Sequence, residues 1–111
     1  MFSGKEMPQE IRTKLGQIVD LQEQTATMRA DAKSAQERID ALFRDQERLR
    51  ENIKALRDTR EDQELRSRRL DQLSKQEDQI QSTRAQVETL NQEIDAGQKR
   101  LSDLIANLSW Q

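Results

Sequence analysis

The residues of this 111-residue chain best suited to chemistry are Asp58, Glu61 and Asp62, three carboxylates within five positions. Carboxylate oxygens are hard donors, and a cluster of them suits Mg²⁺. The same three have a plainer use, because acids at the start of a helix cap free N–H groups and meet its positive end. Around them stand Arg44, Arg48, Arg50, Arg57, Arg60, Arg66, Arg68 and Arg69, which as a group would suit phosphate. Asp45, Glu47, Glu51 and Glu64 lie among these arginines, however, and no aromatic residue falls between Arg44 and Arg69 to stack on a base. A mixed, solvated face is the expectation there. The chain has neither His nor Cys. That removes the usual neutral-pH base, the commonest zinc ligand, and all thiol and disulfide chemistry. No catalytic residue, no metal site and no cofactor is expected, and the chain reads as non-enzymatic.

The elements that must position these groups follow from the composition and one repeat. Charged residues make up 36% of the chain, hydrophobic residues 32% and aromatic residues 3%, too little bulky apolar material for a globular core. A regular repeat separates a coiled coil from a disordered chain of similar composition. Leu73, Ile80, Val87, Ile94, Leu101 and Leu108 recur every seven positions. On the first half two such series interleave: Ile11, Ile18, Thr25, Ala32, Ile39, Gln46 and Ile53 with Lys14, Leu21, Met28, Ala35, Leu42, Leu49 and Leu56. Their alternating steps of three and four make one continuous seam. Pro8 suits the first turn of a helix, and neither Pro nor Gly interrupts the chain between Gly16 and Gly97. Acid-first pairs four residues apart, Glu10/Lys14, Asp40/Arg44, Glu64/Arg68, Asp71/Lys75 and Asp95/Lys99, are expected to support the outer faces.

The seam stops in the polar stretch 57–64, where Asp58 with Glu61, or Thr59 with Asp62, could cap a second helix. The expected order is therefore a lead-in at 1–8, helix 1 at 9–57, a polar turn at 58–64, helix 2 at 65–108 and a tail at 109–111. In an antiparallel pair, facing residues have position numbers with a constant sum. With a sum of 122, Leu49 faces Leu73, Leu42 faces Ile80, Ala35 faces Val87, Met28 faces Ile94, Leu21 faces Leu101 and Ile18 faces Leu104. The predicted fold is all-α, a long antiparallel two-helix coiled-coil hairpin with arms of about 70 Å at 1.5 Å per residue. The same sum sets Gln46 against Gln76, an amide pair that would act as a register lock, and Thr25 against Gly97, a close approach or a soft spot. Nearest the turn, Ile53 would meet Arg69 and Leu56 would meet Arg66. Leu65 and Leu70 lie one position away, so a local shift of register is expected. The competing architecture is one uninterrupted helix of about 150 Å pairing with a second chain as a homodimeric assembly module.

At the end away from the turn, Leu15, Val19 and Ile105 fall off the seam beside Leu104, with Trp110 nearby. A patch of Leu15, Val19, Leu104, Ile105 and Trp110 is the candidate contact surface, for a protein partner, a flanking domain of a parent chain or a second copy of the hairpin. A net charge of -2, from 19 basic and 21 acidic residues, argues against a nucleic-acid partner. No apolar run approaches the ~20 residues that span a bilayer, so no membrane partner is expected; the compartment stays open, with the cytoplasm favoured. The functional expectation is a coiled-coil spacer or protein-interaction arm. The alternative comes from bacterial transcription factors that are helical hairpins with an acidic, magnesium-holding tip, a role Asp58, Glu61 and Asp62 would fill.

Two stretches carry a family resemblance: Phe43-Arg44-Asp45-Gln46-Glu47-Arg48-Leu49-Arg50-Glu51-Asn52-Ile53-Lys54-Ala55-Leu56 and Leu70-Asp71-Gln72-Leu73-Ser74-Lys75-Gln76-Glu77-Asp78-Gln79-Ile80. They resemble the central coiled-coil segment of a bacterial family of unknown function related to the mucoidy-inhibitor proteins. In that family a pattern like F-x-D-Q-E-R-L-R-E-N-L, a short polar connection and Y-x-x-x-L-x-x-Q-E-D-x-I recur. Pro8-Gln9-Glu10-Ile11-Arg12 resembles the family's lead into the first helix, and Arg69-Leu70 stands where the family often has Arg-Tyr. The resemblance implies a hairpin belonging to a larger, partly β-rich protein. It marks Asp45, Gln46, Glu47, Arg48, Asn52, Gln76, Glu77 and Asp78 as motif residues without an assigned role, and it implies no activity.

Overall fold

The computed structural model describes residues 8–108. They form two α-helices, α1 (Gln9–Lys54) and α2 (Arg60–Ala106), in an all-α antiparallel coiled-coil hairpin, with no strand among the described residues. Contacts divide the chain into two compact units. Of the described residues, one, the end unit, combines 8–31 with 89–108; the other, the turn unit, is Ala32–Glu88.

In the turn unit, α1 closes with a tightening last turn, Ala55 N–H donating to the Glu51 carbonyl (3.2 Å) and Leu56 N–H to the Ile53 carbonyl (3.1 Å). No residue with positive φ is used. The helix α2 opens on Thr59. Its Oγ1 accepts from Asp62 N–H at 3.1 Å, and its carbonyl accepts from Gln63 N–H at 2.9 Å. The Asp62 carboxylate reaches back to accept from Arg57 N–H at 2.7 Å. Of the two caps the sequence allows, the Thr59/Asp62 pair is the one that forms. The connection is consequently 55–59, not 58–64: α1 ends at Lys54 instead of 57, and α2 begins at Arg60 instead of 65. The physical reason is that 60–64 contains no helix breaker. Once Thr59 satisfies the first free N–H groups, Glu61 and Asp62 in the first turn favour helix immediately. At its far end α2 stops at Ala106, two residues short of the expected limit.

The seam holds its spacing. In the turn unit Ala35, Ile39, Gln46, Leu49 and Ile80 are buried, and Leu42, Leu73, Gln76, Thr83 and Val87 are half-buried. Near the turn the seven-residue spacing of burial continues through both arginines. Arg66 and Arg69 occupy half-buried seam positions, Leu65 is half-buried too, and Leu70 stays 51% exposed. Slipping the register would require over- or underwinding a helix that has no Pro or Gly in this region. Arginine stems can instead lie along apolar surface and keep their charged heads in water.

In the end unit Ile11, Ile18, Thr25, Ile94 and Gly97 are buried. The carbonyl of Pro8 accepts the first helical bond of α1, from Arg12 N–H at 3.2 Å. A Cβ placed on Gly97 would lie 3.0 Å from Thr25 Oγ1, 3.7 Å from Met28 Cε and 3.9 Å from Leu21 Cδ1. The Thr25/Gly97 layer is therefore a close approach of the Thr25 side chain to the Gly97 backbone, in the register the sum of 122 predicts. The five acid-first pairs do not close. Among the described residues the ion pairs are Arg48–Asp45, Arg50–Glu47 and Lys54–Glu51, all three residues apart. Lys14 instead reaches across its unit to the Asn107 carbonyl at 3.4 Å.

Candidate functional site

Lettering the seven-residue repeat a to g, with Ile11 and Leu73 at a, places Lys14 and Gln76 at d. In an antiparallel pair the e positions of both helices share one flank and the g positions share the other. Both flanks are recognisable in the turn unit. Arg38 and Gln86, both g, meet with Nη2 to Oε1 at 3.5 Å. Arg84 and Phe43, both e, meet on the opposite side, the guanidinium 5.2 Å from the ring centroid. This cation–π contact holds a ring that is 41% exposed. The sequence signal for it was an aromatic and an arginine at equivalent repeat positions.

The amide pair proposed as a register lock is built differently from the sequence expectation. Gln46 is almost completely buried, at 1% exposure, and Gln76 is half-buried. They do not hydrogen-bond to each other. Gln76 Nε2 donates across the seam to Asp45 Oδ2 at 2.5 Å, leaving Gln76 Oε1 and Gln46 Nε2 buried without a partner among the described residues. Asp45 Oδ1 is held in turn by Arg48, through Nε at 2.9 Å and Nη2 at 2.7 Å. The Arg48 hydrogen bonds, then the Gln76 bond, hold the Asp45 carboxyl below its ordinary value of 3.8, against a smaller opposing effect of burial. A carboxylate beside the seam outcompetes a neutral amide because charge-assisted hydrogen bonds are stronger. Asp45 adjoins Gln46 in sequence, and its g position faces the seam of the other helix. That adjacency was the available clue.

The acidic tip does not assemble. The Asp62 carboxylate is engaged by Arg57 N–H as part of the cap, Asp58 and Glu61 are exposed, and no group of three potential metal ligands converges among the described residues. The arginines nearby form a mixed face, with Arg48 and Arg50 paired to carboxylates and Arg69 Nη1 donating to Gln72 Oε1 at 3.1 Å. No helix among the described residues is long and apolar enough to cross a membrane.

Of the contact residues expected at the end unit, Leu15 and Leu104 are half-buried, Val19 is 50% exposed and Ile105 is 52% exposed. Trp110 lies outside the described residues. Leu15 and Ile105 are both e positions, and Val19, at b, follows Leu15 by one helical turn, so the three share one flank. Leu104, at d, belongs to the seam. The other flank of this unit is polar, with a shallow groove lined by Gln17, Asp20, Gln24 and Arg100 over Leu21 and Leu104. No known protein family, curated protein or solved structure matches the chain significantly.

Proposed function

We propose that the chain is a non-enzymatic coiled-coil arm whose e/b flank in the end unit carries a protein contact. The observation behind this reading is the placement of Val19 and Ile105, each about half exposed, on the same side as Leu15. The hairpin's own seam has no use for these side chains, since Ile18 and Leu104 already fill the neighbouring seam positions. Apolar side chains gathered on one flank and left out of the fold are typical of a contact surface. In this reading the arm is part of a larger bacterial protein, as the family resemblance of the Phe43–Leu56 and Leu70–Ile80 stretches would imply, and its long helices serve as the spacer that carries the surface.

The test is site-specific photo-crosslinking in the expressing cell. A benzophenone side chain at Val19 or at Ile105 is expected to give protein adducts, while the same group at Gln24 or Glu93 on the opposite flank gives none. Equal labelling from both flanks, or none from Val19 and Ile105, overturns the reading.

A further inference from the structure

We propose that the occupant of this flank is a second copy of the same chain, the two hairpins pointing the same way about a two-fold axis along them, so that α1 of each end unit lies antiparallel along α2 of the other. This rests on the reading of the flank as a contact surface and goes on to name the partner.

Three observations support a self-complementary surface. First, the flank is depleted of charge. Between Arg12 and Arg29, α1 presents Leu15, Val19, Gln22 and Ala26 there, and α2 presents Gln98, Ser102 and Ile105. The opposite flank carries Asp20, Asp31, Glu93, Arg100 and Asp103. Loss of charge from the centre of a patch, not apolarity overall, distinguishes interface cores. Second, the apolar residues interdigitate. By the register that sets Thr25 against Gly97, Ile105 lies at the height of position 17, midway between Leu15 and Val19. When α1 lies on the partner's α2, each Ile105 enters the gap between the other chain's Leu15 and Val19, twice per dimer. Third, the charges at the Arg29 end of the patch match. Arg29, at e, and Asp95, at b, are exposed and have no ion-pair partner among the described residues. Asp95 lies at the height of position 27, two residues or about 3 Å along the axis from Arg29. Each Arg29 then meets the partner's Asp95, again twice. The opposite stacking, α1 on α1 with the chains reversed, would take the partner's Asp95 away from Arg29. The charge pattern selects the arrangement with both hairpins pointing the same way.

The test is sedimentation equilibrium of the full chain, with helicity followed by circular dichroism. Wild type is expected to move from 13.0 kDa to twice that mass as concentration rises, and less readily in high salt. Val19→Glu combined with Ile105→Glu, at two exposed positions, should keep the helicity and abolish the dimer. Arg29→Asp alone and Asp95→Arg alone should each weaken association about tenfold, because each places like charges together twice per dimer. The two changes combined should restore it. A wild type that stays monomeric at every concentration overturns the proposal, as does a double-glutamate variant that dimerises like wild type, or a charge swap that regains nothing over its single variants. A monomeric wild type whose Val19 crosslinks run to a different protein overturns the dimer and leaves the interaction arm standing.

Discussion

Gln46→Leu should stabilise this protein, although it removes a polar residue that heptad logic would assign to a specific pair. Gln46 is 1% exposed, and its Nε2 has no partner among the described residues. A buried donor left unpaired costs about 1–3 kcal/mol. Leucine of similar size at this seam position removes that cost and adds apolar contact with buried neighbours such as Leu49. The expected gain is about 1–3 kcal/mol, read as a higher midpoint in urea unfolding followed at 222 nm with the slope unchanged, or as a rise in Tm of about 4–12 °C. The reasoning turns on Asp45 having captured Gln76. In an Asp45→Ala background Gln76 is released, and its Oε1 can accept from Gln46 Nε2. There the same Gln46→Leu change should stabilise less or destabilise, giving a coupling of about 1 kcal/mol between positions 45 and 46. A loss of 1 kcal/mol or more from Gln46→Leu in the otherwise native chain refutes this account. It would mean that the two glutamines bond directly and that Asp45 is incidental.

Thr59→Ala should cost about 1 kcal/mol, because it removes the side chain that accepts from Asp62 N–H; thermal melting measures it, and an unchanged Tm would assign the cap to Asp62 alone. Gly97→Ala should fail to deliver the ~1 kcal/mol usually gained by replacing a helical glycine, since the new Cβ would stand 3.0 Å from Thr25 Oγ1, which is held by its 2.7 Å bond to the Leu21 carbonyl. With Thr25→Ala added, the Gly97→Ala step should become stabilising, and stabilisation in the native background would count against the close approach. Asp45 should titrate below 3.8 by carboxyl ¹³C NMR and move upward in Arg48→Ala. Because its folded value is lowered, its contribution to stability is complete above the ordinary carboxylate value and disappears as pH falls through the folded one.

Much of this architecture is legible in the chain itself because a coiled coil is nearly one-dimensional. Apolar residues at steps of three and four define a seam, and every seam position from Ile11 to Leu56 is buried or half-buried. The pairing sum of 122 correctly sets Thr25 against Gly97, because spacing along a helix translates directly into height along its partner. The Thr59-x-x-Asp62 cap is likewise local, satisfied within five residues of chain. The presence of apolar residues off the seam, Val19 and Ile105 among them, is equally a matter of counting.

What the tertiary structure decided is competition among groups that the repeat treats as equivalent. The turn formed at 55–59 because a cap outweighed the general polarity of 58–64. The seam kept Arg66 and Arg69 and left Leu70 in solvent, since a flexible stem adapts more cheaply than a helix rewinds. Gln76 turned to Asp45 and away from Gln46, since a carboxylate accepts more strongly than an amide and lay within reach across the seam. Periodicity fixes which side chains are neighbours. Which neighbour wins a hydrogen bond depends on distance, charge and desolvation, and these exist only once the two helices have met.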